Sequence, residues 1–165
     1  MKYGLWLGFV FILALLFINK SWAQEGEKGF KKTNFYAAMA GDKEEAVNQQ
    51  LALLKTSSFA EKDVYEGALL MKKAGIVGGP KKKLDLFKAG HKKLEAAIKN
   101  DSTNVEYRFL RLMIQEHAPG ILGYKGELEK DRLFIKNNFK KMPAVAKEAA
   151  ENYSKESKIL KPADL

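Results

Sequence analysis

The chain has 165 residues, a formal net charge of +9, 30% charged residues and no cysteine. Without cysteine there are no disulfides, thiolate metal sites, thiol nucleophiles or covalently attached c-type haem. Of the 29 basic residues 26 are lysine and three are arginine. Lysine interleaved with glutamate is a solvated surface, whereas base readout favours arginine, so no nucleic-acid partner is expected.

Met1-Lys2-Tyr3 gives a short cationic start, and Gly4 to Ile18 is an unbroken apolar run. Ser21-Trp22-Ala23 then places small residues where a signal peptidase reads them, with Gln24 following. This pattern predicts a secretory signal peptide over residues 1–23, cut between Ala23 and Gln24, and an exported protein, periplasmic or secreted. The rival reading, an uncleaved membrane anchor, has only 15 apolar residues, against the roughly 20 that span a bilayer. A lipid anchor would need a cysteine at the cleavage point. The remaining chain carries about +7 and is of one-domain length.

Residues 24–32 read as a flexible lead-in. From there on, Ala, Leu, Lys and Glu dominate and no stretch alternates with period two, so the expected fold is all-α, with six to seven helices. A short first helix covers about Asn34 to Ala40 and ends at Gly41. Asp42 with Glu45 forms a capping box for a second helix, which runs to about Leu54. Ser58 with Glu61 opens a third, which ends near Ala74. Residues 75–79 form a loop, and Pro80 starts a fourth helix that reaches Asn100. Thr103 with Glu106 caps a fifth, which stops before Pro119. A sixth runs from Lys125 to Lys141, and Pro143 opens a seventh that ends near Lys158. Residues 159–165 read as a loose tail. Short connections make neighbouring helices antiparallel hairpins within a single helical domain, residues 33–158.

Two junctions carry a family resemblance. Gly41-Asp42-Lys43-Glu44-Glu45-Ala46 resembles the inter-helix turn of the tetratricopeptide repeat, a helix-turn-helix unit. Residues Ala97 to Asn104 are similar to the end of such a repeat, with Ser102 where proline is usual. The resemblance implies a degenerate right-handed array of helical hairpins, covers about a third of the exported chain and carries over no site residues. The block from Tyr107 to Pro119 is weakly similar to uncharacterised exported proteins of Gram-negative bacteria, which implies no activity.

Four features could carry chemistry. The fifth helix is apolar around most of its circumference and marks a central element. Its narrow polar sector holds Arg108, Arg111 and Gln115. The two arginines demand carboxylate partners, for which Glu66, Asp85 and Asp131 are the candidates, or else they form a fork for an anionic ligand. His91 lies on the apolar face of the fourth helix and could join that pocket; with His117 and Glu116 it makes only a weak metal set, and no metal is expected. Gly67, inside the third helix, predicts a closely packed neighbour. Lys81, Lys82 and Lys83 crowd a helix start, where their charge opposes the helix dipole, and are the candidate contact for an acidic partner or anionic lipid.

No hydrolase, zinc-protease or dinucleotide-binding motif occurs, and no cofactor is implied. The expected function is therefore a non-enzymatic module that binds a protein or peptide. The alternatives are a small anionic-ligand binder or enzyme around Arg108, Arg111, Gln115 and His91, and an envelope protein that touches lipid through Lys81 to Lys83.

Overall fold

A computed structural model describes residues 29–165. The signal-peptide reading of residues 1–23 and its cleavage site at Ala23 and Gln24 lie outside the described residues. Seven α-helices follow one another: α1 Lys32–Ala40, α2 Glu44–Thr56, α3 Lys62–Ile76, α4 Pro80–Asn100, α5 Val105–His117, α6 Leu128–Asn138 and α7 Ala144–Ser154. Short 3-10 turns cover Gly120–Leu122, Phe139–Lys141 and Pro162–Asp164, and there is no strand among the described residues. None of the described helices is long and apolar enough to cross a membrane.

The helices pair as hairpins, α1 with α2, α3 with α4 and α5 with α6. Successive hairpins touch through α2 and α3 and through α4 and α5. α3 also packs on both α1 and α5. α7 does not extend this row; it turns back and packs against α1.

Helix existence followed the sequence pattern, and the starts differ by a few residues. The expected capping boxes do not form: neither α2 nor α3 has a side-chain cap at its N-terminus. Asn104, not Thr103, caps α5 by accepting from the Tyr107 amide, while Thr103 donates to Asp101 in the turn before it. Local hydrogen bonding at short polar residues has several solutions of similar energy, and the tertiary path selects one.

The closest crossing is between α3 and α4, at two glycines. A Cβ added to Gly67 would sit 2.8 Å from the Leu94 amide nitrogen, and one added to Gly90 would sit 2.5 Å from the Gly67 carbonyl oxygen. Two helix backbones meet here without side chains between them. That contact offsets the roughly 1 kcal/mol that each interior glycine costs a helix.

One buried cluster runs from Phe30 to Leu160, and both of its chain ends depart from expectation. Phe30, in the supposed lead-in, is fully buried and packs on Phe35, Phe59 and Tyr65. Its approach is set by Gly29, whose φ of +98° suits a residue without a Cβ. The supposed loose tail buries Leu160 completely and ends in the Pro162–Asp164 turn. Asp164 there accepts from Arg132 Nη1 at 2.8 Å and Lys136 Nζ at 3.1 Å. One aromatic or leucine is enough to anchor a terminus, which composition alone does not reveal.

Candidate functional site

The polar sector of α5 closes on itself. Arg111 donates from Nε to Asp131 Oδ2 at 2.6 Å and from Nη2 to Asp131 Oδ1 at 2.7 Å. Its third nitrogen, Nη1, donates to Glu95 Oε2 at 2.9 Å. Arg108 Nη1 reaches Asp131 Oδ1 at 3.1 Å, and its other nitrogens donate to the Ser102 carbonyl. Tyr124 donates to the second oxygen of Glu95 at 2.5 Å. The Asp131 side chain is 0% exposed and that of Arg111 6% exposed. Burial works against the Arg111 charge, but Asp131 and Glu95 outweigh it and hold the guanidinium above its ordinary pKa.

Of the three acids expected to serve these arginines, only Asp131 does. Glu66 pairs with Lys93 at 3.3 Å, and Asp85 is exposed on the opening turns of α4. Glu95 was missed. It is one of two acids on α4, with Asp85, and nothing in the sequence shows which of the two faces Arg111.

Gln115 is 1% exposed and its Oε1 has no hydrogen-bond partner. His91 is half-buried between Phe87 and Tyr124, its ring centroid 4.9 Å from that of Tyr124. His117 lies beside Tyr153 instead. No group of three or more His, Cys, Asp or Glu suited to a metal ion occurs among the described residues.

Two further acids on α5 have partners other than the expected ones, a capping box for Glu106 and a weak metal set for Glu116. Glu106, 2% exposed, accepts from Tyr36 at 2.8 Å, Tyr65 at 3.0 Å and Lys32 at 3.1 Å. Burial, then the Glu106 charge, pushes both tyrosines well above their ordinary pKa. Glu116 accepts from Ser157 at 2.5 Å, Tyr153 at 2.6 Å and the Lys158 amide at 2.6 Å. Burial would raise its pKa, and those donors lower it instead.

The opening in the molecule lies on the other side of α5. At 100° per residue, Met113 and His117 project away from Arg108, Arg111 and Gln115, and Ile114 lies at the border between the two faces. They form one wall of a groove of about 1320 Å3. α1 contributes Tyr36, Met39 and Ala40; α3 contributes Met71 and Ala74; α7 contributes Val145, Ala149 and Tyr153. Leu84 and Phe87 of α4 and Ile121 of the 3-10 turn complete the lip. Leu84 is 41% exposed and Ile121 95% exposed. α4 thus carries one apolar stripe with two fates: Leu94 and Ile98 are buried, while Leu84 opens onto the groove.

The predicted ligand residues Arg108, Arg111, Gln115 and His91 do not line this groove. Of the lysine trio only Lys83 lines it, while Lys81 and Lys82 border a shallow depression beside it. The chain matches no protein-family model, no curated protein and no solved structure. A recoverable signal for the groove was Ile121, an apolar side chain in a loop flanked by Gly120 and Gly123, with no element around it to bury it.

Proposed function

We propose that the protein is an exported, non-enzymatic helical module, degenerately tetratricopeptide-repeat-like, that binds a protein or peptide partner in the groove between α4, α5 and α7. The repeat-like reading is supported by the order of contacts: each helix packs on the next through α6, and α3 packs on both α1 and α5. The return of α7 to α1 is where the chain departs from an open array.

The observation that carries the binding reading is the groove itself. At about 1320 Å3 it exceeds the roughly 300–1,000 Å3 of a small-molecule site and is better matched to a polypeptide segment. Its exposed Leu84 and Ile121 are apolar side chains left in water at a concave surface. The small anionic-ligand reading loses its motive, because the Asp131 carboxylate already fills the arginine fork. The lipid reading rests on three exposed lysines alone.

Two experiments test the proposal. The intact mass of the protein recovered from the envelope or medium should correspond to a chain beginning at Gln24; a mass that retains Trp6 and Trp22 refutes processing. A photo-crosslinking residue at Ile121 should then give a discrete protein or peptide adduct in expressing cells. The same residue at Lys99, exposed at the far end of α4, should give none. Equal labelling at both positions would refute the groove as the binding surface.

A further inference from the structure

Resting on that reading, we propose that the occupant of the groove is an amphipathic α-helix of a partner protein, bearing an acidic residue that meets Lys83 and a basic residue that meets Glu148 and Glu156. The argument begins with backbone polar groups. All the described elements are helices and turns, so no strand edge borders the groove for an extended peptide to pair with. Its lining is mainly apolar side chains. A segment that enters must bring its amides and carbonyls already satisfied, and an α-helix does so internally.

The floor fits such a guest. Met39, Met71 and Met113, from three different helices, line it. Flexible thioethers adapt to apolar side chains of varied shape, as suits the ridges of a helix. Leu84 and Ile121 stand at the lip, where a second helix face would cover them.

The charged rim sets the ends. Lys72 and Asp42 on the groove pair with each other at 3.1 Å. Lys83 on α4, Glu148 on α7 and Glu156 in the turn that follows α7 have no ion-pair partner among the described residues. One side of the groove is therefore cationic and the other anionic. A second copy of this chain is disfavoured as occupant, because two molecules that carry a formal +9 in full, and about +7 without Lys2 and Lys20, repel on approach.

The test uses the purified protein and labelled peptides of about fifteen residues, roughly 22 Å as a helix. Each has leucine at positions i, i+3, i+4 and i+7. One carries Glu in its first turn and Lys in its last; the others carry only Lys, only Glu, or the mixed charges with two central prolines. The mixed peptide should bind saturably, gain helical circular dichroism on binding, and bind about three-fold better than the single-sign peptides, as exposed ion pairs allow. Lys83→Glu should shift the preference to the all-Lys peptide. Ile121→Asp, at a solvated side chain that cannot disturb the core, should weaken all of them about ten-fold with an unchanged melting curve.

Equal binding of the proline peptide would overturn the helical occupant while leaving peptide binding intact. Binding unaffected by Ile121→Asp would overturn the groove for both readings. No binding of any peptide at millimolar concentration would overturn this inference. Sedimentation as a dimer that dissociates on Ile121→Asp would overturn it in favour of a second copy.

Discussion

Arg111 and Arg108 sit one helical turn apart and share one carboxylate, yet their replacement should have unequal consequences. Arg111 holds both oxygens of Asp131, whose side chain is fully buried. Arg111→Ala leaves that buried charge with only the single Arg108 contact, a loss on the order of 3–5 kcal/mol and a large share of the stability of an ordinary domain. Arg108 adds one bond at 3.1 Å, is 19% exposed at its side chain and can be replaced there by water. Arg108→Ala should cost about 1 kcal/mol. Chemical denaturation of the two variants checks the order. Equal and small losses would mean that the Asp131 network does not hold α5 to α6.

The same asymmetry separates what was legible in the sequence from what was not. An apolar helix with two arginines announces that carboxylates must come to it, and Asp131 was among the acids at hand. That Glu95 completes the set depends on how α4 crosses α5, which no local pattern encodes. Glu106 and Glu116 were hidden for a related reason. Each looks like an ordinary helix-surface glutamate until donors from distant elements converge on it, Tyr36 and Tyr65 on Glu106, Tyr153 and Ser157 on Glu116.

At the scale of elements, helix number and order were readable because apolar spacing, Pro80 and Pro143 mark them directly. The α3–α4 crossing was half readable: glycine within a helix signals close approach, but its partner was not identified. The structure pairs Gly67 with Gly90. Gly67→Ala and Gly90→Ala should each destabilise the fold by about 1–3 kcal/mol, although alanine is the better helix former by about 1 kcal/mol. The nearest atom an added methyl would meet is backbone at both positions, the Leu94 nitrogen and the Gly67 carbonyl oxygen, and cannot turn aside. Stabilisation of either variant would show that the helices can slide apart without loss. By contrast, the groove was not readable as a whole: Ile121 marks one point of its lip, but its walls come from five helices and a turn.

At the scale of the whole molecule, the last eleven residues tie two helices together through two carboxylates. Glu116 on α5 holds Ser157 and the Lys158 amide. Asp164 returns to Arg132 and Lys136 on α6 and accepts from the Lys161 amide. Between them Leu160 is buried completely. Burial raises the pKa of Asp164, but the Lys161 amide, Arg132 and Lys136 outweigh it and bring the carboxyl down to about 2. Glu116 is lowered as well, against its burial, by Ser157 and Tyr153. Both acids thus bind protons less readily in the folded chain than in the unfolded one. Their contribution is complete above the ordinary carboxylate range, near pH 4, and is lost as the pH falls through the folded values. Asp164→Asn keeps an oxygen for the Lys161 amide and removes only the charge. Its melting temperature should lie below that of the wild type at pH 7, and the gap should narrow below pH 4 and close near pH 2. Thermal melts across that range at constant ionic strength measure it. A gap that stayed constant down to pH 2 would mean that Asp164 acts through packing and hydrogen bonding alone, and that the C-terminal segment is held by Leu160 rather than by its ion pairs.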